Sequence, residues 1–297
     1  MDPRADRRGD DALRRALRTQ ALQMKVTLSD DVLKALRCQA ANGEDTDSVL
    51  RRLLGLPQAA AASSGDAVVG VDGAKQGWLA VWSTPQRLEF EVHATVAALR
   101  DAHTAARVVA VDVPIGLSDA GPRMADVLAR RFVGGRRASS IFSSPVRGVL
   151  GATSQKEASR RHREIDGRGY GAQAFGILAK IRDWDKCLAG DPAFAARVYE
   201  VHPEVCFAAL DGGQGLPESK KSPEGSARRR ALLQREFGEE PVRELLSRVP
   251  RRLAAPDDVL DALVALWSAG RIADGRDASL PCPGETDTTG RRMAIHY

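Results

Sequence analysis

The chain has 297 residues, with 44 Lys and Arg against 39 Asp and Glu and a formal net charge of +5. This length and its apolar content are sufficient for one large domain or two smaller ones. No apolar run approaches the roughly 20 residues that span a bilayer, and the N-terminus is charged, so we expect a cytoplasmic protein that does not contact membranes. Four scattered cysteines show neither metal-binding nor disulfide spacing and are expected to be reduced thiols.

Residues 1–23 are predicted to form a charged N-terminal arm. Residues 24–56 continue with a short alternating strand, a helix capped at Ser29 and, after Asn42-Gly43, a second helix. A unit of this size is too small to fold alone, so we expect it to form a homodimer or a higher oligomer. A small helical cap that packs on its own chain is the alternative.

This pattern resembles the ribbon-helix-helix proteins, and residues 45–56 are similar to the N-terminal oligomerisation segment of the SeqA family. The ribbon-helix-helix resemblance implies that two chains pair their strands and that outward residues of the ribbon, here Lys25 and Thr27, enter the DNA major groove. Residues 57–65, Pro-Gln-Ala-Ala-Ala-Ala-Ser-Ser-Gly, have the composition of a flexible linker. A second domain is therefore predicted at 66–297.

Two predicted strands of the second domain end in a carboxylate. The run from Val68 to Trp82 indicates two apolar strands joined by a glycine-bearing turn, with Asp72 at the end of the first. A third strand and a helix follow, and a fourth strand over 107–113 ends near Asp112. Because nearly continuous β-branched runs are typical of strands buried on both faces, these two acids have no packing role and need partners.

Residues 118–170 are predicted to be helices and loops with a basic bias. Between Arg123 and Arg168 there are 11 Lys and Arg against 4 Asp and Glu. A solvated helix face and a phosphate-binding surface explain this bias equally well, the second because arginine forks match phosphate oxygens. The candidate nucleic-acid contacts, which include two lysines of a later loop, are Arg136, Arg137, Ser139, Ser140, Arg147, Lys220 and Lys221.

Residues 198–204 are predicted to form a strand that places Glu200, His202 and Glu204 on one side. This side is either a solvent-facing edge or a site, and Glu200 is the preferred site residue because Pro203 should end the strand.

A helix that begins at Pro256 contains Asp258 and Asp261 at positions i and i+3, which share one helical face. Helix capping explains one acid near the helix start, but it does not explain Asp261.

Five acids therefore form the predicted site: Asp72, Asp112, Glu200, Asp258 and Asp261. Acids at this density repel one another unless cations neutralise them, and Mg²⁺ or Mn²⁺ takes such oxygen ligands. Two ions about 4 Å apart would activate a water and stabilise the leaving oxygen of a phosphodiester. The pattern predicts a nuclease that hydrolyses DNA or RNA, with all five acids as metal ligands and catalytic residues.

The same segments resemble the acidic core of the RNase H-like superfamily, and the Asp258-x-x-Asp261-Ala-Leu helix is closest to that of RuvC-type resolvases. Residues 68–297 more closely resemble the domain of unknown function family 429, bacterial proteins labelled as predicted RNase H-like nucleases. This second resemblance rests on residues 71–73 with 77–78, 112–117, 139–142, 200–204, 220–221, 261–263 and 292–297.

The resemblance implies an α/β fold with an RNase H-like mixed five-stranded sheet flanked by helices, and a predicted nuclease chemistry. RuvC-type enzymes have a glutamate where this chain has Asp112. Two other functions stay open: a non-catalytic DNA-binding or oligomerisation protein, and an actin-like nucleotide-binding ATPase. Against the ATPase, the sequence contains one half of the expected duplicated fold and no second Gly-rich phosphate turn.

Overall fold

A mixed five-stranded sheet forms the centre of the part of the chain that the structure describes. The computed structural model describes residues 68–297, so the predicted arm, dimerisation unit and linker, with Lys25 and Thr27, lie outside the described residues. The strand order is β3-β2-β1-β4-β5; β1, β2 and β3 run antiparallel, while β4 and β5 run parallel to β1. The strands are β1 (Val68–Ala74), β2 (Gly77–Ser83), β3 (Leu88–His93), β4 (Val108–Val111) and β5 (Val198–Glu200).

Ten helices and a C-terminal hairpin complete the described part of the chain. The helices are α1 (Val96–Ala102), α2 (Met124–Val133), α3 (Gln155–Asp166), α4 (Ala172–Gly176), α5 (Leu178–Gly190), α6 (Pro192–Arg197), α7 (Pro203–Leu210), α8 (Pro223–Phe237), α9 (Glu239–Arg248) and α10 (Pro256–Ala273). The hairpin strands are β6 (Ser279–Thr286) and β7 (Arg292–His296). This architecture confirms the predicted α/β fold with a mixed five-stranded sheet flanked by helices.

Helices cover both faces of the sheet, which explains why its strands are almost continuously apolar. Alternate residues of one strand enter different cores: Val109 packs with the α1 and α5 side, and Ala110 packs with the α8 and α10 side. Because side chains alternate with a period of two, a strand buried on both faces needs apolar residues at every position. No helix within residues 68–297 is long and apolar enough to cross a membrane.

The longest helix, α10, packs directly on β1. A Cβ atom on Gly70 would lie 2.1 Å from the backbone nitrogen of Leu266 and 2.3 Å from the carbonyl oxygen of Ala262. Ten residues of α10 are buried, including Asp261. The helix predicted at Pro256 is thus confirmed, and its first turns lie beside the carboxyl end of β1.

The strand predicted over 198–204 is wrong beyond its first three residues. β5 ends at Glu200, and Pro203 begins α7, where its missing N–H and fixed φ suit the first helical position. His202 caps this helix, because its Nδ1 accepts a hydrogen bond from the backbone N–H of Glu204 at 3.2 Å. Glu200 and Glu204 therefore belong to different elements, and the period-two argument does not apply to them.

The close contact between α10 and β1 predicts a large cost for a side chain at Gly70. Gly70→Ala should lower the free energy of unfolding by about 3 kcal/mol or more, because the added methyl meets helix backbone that cannot rotate away. The measurement is urea denaturation.

Gly270→Ala is the matched control, because Gly270 lies in α10 itself and a Cβ there would meet nothing within 4 Å. This variant should be neutral or more stable by up to about 1 kcal/mol, since alanine favours helix. Equal effects of the two substitutions would contradict the packing described here.

Candidate active site

Three aspartates from three elements converge at one edge of the sheet. Asp72 lies near the carboxyl end of β1, Asp112 directly follows β4, and Asp261 lies in the second turn of α10. The ends of β1 and β4 are adjacent, because the backbone N–H of Asp112 donates to the carbonyl of Val71 at 3.1 Å. Asp72 and Asp261 are buried, with only 8% and 1% of their surfaces exposed.

These three carboxylates, named here the acidic cluster, affect one another electrostatically. Burial raises the pKa of Asp72 well above its ordinary value, and the negative charges of Asp261 and Asp112 raise it further. Burial also raises the pKa of Asp112, and burial raises that of Asp261 to about 6. Like charges out of water disfavour ionisation, so the cluster requires positive charge to be fully ionised.

Lys220 supplies part of that positive charge. Its Nζ donates to Asp261 Oδ2 at 2.5 Å from the loop between α7 and α8. Burial by itself would lower the pKa of Lys220, but the charges of Asp261, Asp72 and Asp112 raise it above its ordinary value. Lys220 is therefore protonated and acts as the internal counter-ion of the cluster, a role that sequence reasoning had not given it.

Lys180 is a second cation beside the acidic cluster, and it was not among the residues predicted from the sequence. Its Nζ lies 5.2 Å from the ring centroid of Trp78, and a Cβ on Gly73 would come within 2.1 Å of it. Its charge lowers the pKa of Asp112 against the effect of burial. The only signal in the sequence is Gly73, whose missing side chain leaves room for a close neighbour but does not identify it.

Asp258 lies at the margin of the acidic cluster. Its Oδ2 accepts a hydrogen bond from the backbone N–H of Ala255 at 2.8 Å, so it caps its own helix. Its charge still contributes to the raised pKa of Asp72. The capping explanation thus applies to Asp258, whereas Asp261 faces the cluster.

The structure does not bring Glu200 into the acidic cluster. Both of its carboxylate oxygens bind Arg123, at 2.5 and 2.9 Å, and one also accepts the backbone N–H of Ile115 at 2.8 Å. Arg123 is buried and binds Asp126 of α2 as well, at 2.8 Å. Glu200 is therefore part of a structural ion pair, and the prediction that it is a metal ligand does not fit its contacts.

Besides Lys220, Arg137 is a predicted nucleic-acid contact that the structure links to the cluster. It lies in the 3-10 turn Gly135–Ser140, and its guanidinium is 3.7 Å from Glu204. Glu204 is held by two bonds from buried Arg229, at 3.0 and 2.8 Å, and its charge raises the pKa of Asp112 and Asp261.

The other predicted contacts are placed differently. Arg136, Ser139 and Ser140 share the turn of Arg137, and Lys221 is an exposed neighbour of Lys220. Arg147 forms ion pairs with Asp185 at 2.9 Å and Asp287 at 2.5 Å, so it is engaged within the fold.

Several arginines of the remaining basic segment form ion pairs with acids of the same segment. This pairing favours the interpretation of those residues as a solvated helix face. The pairs are Arg160 with Glu164, Arg161 with Glu157 and Arg168 with Asp166, at 2.8, 2.6 and 2.7 Å.

The acidic cluster fits a divalent cation in charge and donor type. Within residues 68–297, no three His, Cys, Asp or Glu side chains already lie close enough to hold an ion. However, Asp261 Oδ1 is buried and has no hydrogen-bond partner among the described residues. Three carboxylates also carry more negative charge than Lys220 neutralises, and their oxygens are the ligands that Mg²⁺ and Mn²⁺ prefer.

Comparison with known sequences places the cluster within a family. The family model described as "Protein of unknown function (DUF429)" matches residues 70–286, which include Asp72, Asp112, Lys220 and Asp261. Searches of curated proteins and of solved structures found no match.

The raised pKa of Asp261 predicts how stability depends on pH without metal. Between about pH 4 and pH 6 the folded protein holds a proton at Asp261 that the unfolded chain has released. Stability should therefore fall as pH rises through this window, by on the order of 2 to 3 kcal/mol from this group. The measurement is urea denaturation in EDTA at several pH values, with Asp261→Asn for comparison. The same pH dependence in both proteins would contradict the shift.

Proposed function

The chain belongs to the DUF429 family, and from its acidic cluster we propose that it is a divalent-metal-dependent nuclease that hydrolyses phosphodiester bonds of DNA or RNA. The observation that supports this function is the convergence of Asp72, Asp112 and Asp261, each of which has its pKa raised by burial, with neighbouring negative charges adding to the effect. Carboxylates concentrated in this way, with Lys220 and Arg137 close by, are suited to hold cations against a phosphate backbone.

Asp72, Asp112 and Asp261 would hold Mg²⁺ or Mn²⁺, with Asp258 at the margin. Such ions supply Lewis-acid activation of a water and stabilisation of the leaving oxygen when they are bound. The predicted pair of ions would have one carboxylate fewer than expected, because Glu200 binds Arg123. Asp261 must lose its proton to act as a ligand, so Mn²⁺ affinity should increase as pH rises through about 6.

Lys220 is proposed to exchange partners during the reaction cycle. Without cations it neutralises Asp261 at 2.5 Å, and its side chain remains partly exposed. Cations at the cluster would repel its ammonium, which can then contact a substrate phosphate instead. Arg137, held near the cluster through Glu204, is the second candidate for phosphate contact.

The N-terminal unit at 24–56 is proposed to dimerise the protein or to recruit it to DNA. This proposal rests on the sequence pattern of that unit.

A non-catalytic scaffold is the second candidate function, and the Lys220–Asp261 pair itself favours it. In that case Lys220 neutralises the cluster permanently, as a buried ion pair does in many folds. The two functions differ in whether divalent ions bind, which the following experiments measure.

Purified full-length protein with Mn²⁺ should cleave a nucleic acid among single-stranded DNA, double-stranded DNA, RNA and DNA–RNA hybrids. Asp72→Asn and Asp261→Asn should reduce cleavage at least 100-fold and should abolish Mn²⁺ binding by calorimetry, because each removes a charged ligand.

Asp257→Asn is the matched control, because Asp257 lies in the first turn of α10, next to Asp258. It should cleave as the wild type does. No Mn²⁺ binding by the wild type, or unchanged cleavage in the cluster variants, would refute the nuclease proposal.

Lys220→Gln should bind Mn²⁺ about tenfold more tightly than the wild type, because the ion no longer competes with an ammonium for Asp261. Its cleavage rate at saturating Mn²⁺ should fall if Lys220 contacts the phosphate. Lys221→Gln removes the same charge from an exposed neighbour and should leave Mn²⁺ affinity within about twofold of the wild type. Weaker Mn²⁺ binding by Lys220→Gln than by Lys221→Gln would contradict the counter-ion role.

A further inference from the structure

A cavity of about 190 Å³ lies between α8, the connection from α9 to α10, and the start of α10. Six of its nine lining residues are apolar, namely Leu246, Val249, Ala254, Pro256, Val259 and Leu260, although polar atoms contribute the larger share of the lining surface. Its polar lining consists of Ser226, Arg230 and Arg251. The cavity is smaller than the roughly 300–1,000 Å³ of pockets for drug-sized ligands, so its ligand would be small.

The charge of this cavity is positive and uncompensated. No acidic residue lines it, and its two arginines, Arg230 and Arg251, are exposed and form no ion pair with a carboxylate within residues 68–297. A third cation lies nearby, because Lys75 Nζ is 3.5 Å from the carbonyl oxygen of Arg251. This contrasts with neighbouring arginines of α8: Arg228 pairs with Asp211 at 2.6 Å and Arg229 with Glu204 at 2.8 Å.

The cavity and the acidic cluster lie on opposite sides of α10. Pro256, Val259 and Leu260 line the cavity, whereas Asp261 faces the cluster and Asp258 lies at its margin. At 3.6 residues per turn these two sets fall on opposite faces of the helix, about 10 Å apart. The cavity is therefore separate from the proposed metal site.

We propose that this cavity binds a small oxyanion, a phosphate or a carboxylate, attached to a short apolar group. The two guanidinium groups and the Ser226 hydroxyl bind the anion, since arginine pairs with both phosphate and carboxylate oxygens. The leucine and valine side chains enclose the apolar group, which gains by leaving water. This binding requires no divalent metal, because the acidic cluster contributes nothing to it.

The test measures binding of four probes to the full-length protein in EDTA, by calorimetry: phenyl phosphate, benzoate, inorganic phosphate and phenol. Phenyl phosphate or benzoate should bind at least about tenfold more tightly than inorganic phosphate, because the ring is buried, and than phenol, which lacks the charge. Comparison of phenyl phosphate with benzoate identifies which anion the site prefers. Equal affinity for phenol and both anions, or no binding by either anion, would overturn the proposal.

The double variant Arg230→Gln/Arg251→Gln should lose at least about tenfold in affinity for the better anion. Arg252→Gln is the matched control, because Arg252 is exposed beside Arg251 but does not line the cavity. Asp72→Asn should also bind the anion as the wild type does, which separates this site from the proposed nuclease. Binding that survives in the double variant, or that is lost in Asp72→Asn, would place the anion elsewhere and overturn the assignment.

Discussion

Helix α10 lies so close to strand β1 that Gly70 has no room for a side chain. A Cβ there would lie within 2.3 Å of two backbone atoms of the helix. This contact aligns the first turns of α10 with the carboxyl end of β1, where Asp72 is found. The parallel pairing of β4 with β1 adds Asp112 at the same edge. Three residues separated by up to 189 positions in the sequence therefore lie at one edge of the sheet, because α10 packs on β1 without a gap and β4 pairs with β1.

The raised pKa values of the acidic cluster predict that it destabilises the protein when ionised without metal, and the neighbouring cations reduce this cost. Lys220 neutralises Asp261 directly, and Lys180 and His202 lower the pKa of Asp112. Such a concentration of buried like charges has no packing purpose, because apolar residues would fill the same space at lower cost. This physical cost supports the proposal that the cluster is functional, since strongly perturbed carboxylates are typical of functional sites.

Two other acids that look similar in sequence have a structural role instead. Glu200 binds buried Arg123, and Glu204 binds buried Arg229, each through both carboxylate oxygens. Removal of either partner would leave an uncompensated buried charge, which typically costs about 3–5 kcal/mol. What distinguishes these glutamates from the cluster aspartates is therefore the presence of an arginine that can form two hydrogen bonds with each of them.

The sequence by itself determined the α/β class, the central strands and the helix at Pro256, because hydrophobic periodicity is a local signal. It also identified Asp72, Asp112 and Asp261 as candidate site residues, because acids at the ends of strands or within an apolar helix stand out locally. The contacts of Glu200 with Arg123 do not fit the predicted metal ligand, and the predicted strand gives way to a helix at Pro203, since a proline can end a strand or begin a helix. Only the tertiary structure decided which cation meets which acid: Arg123 is 77 residues from Glu200, and Lys220 is 41 from Asp261. Pairing over such separations depends on how the elements pack, and no local pattern encodes it.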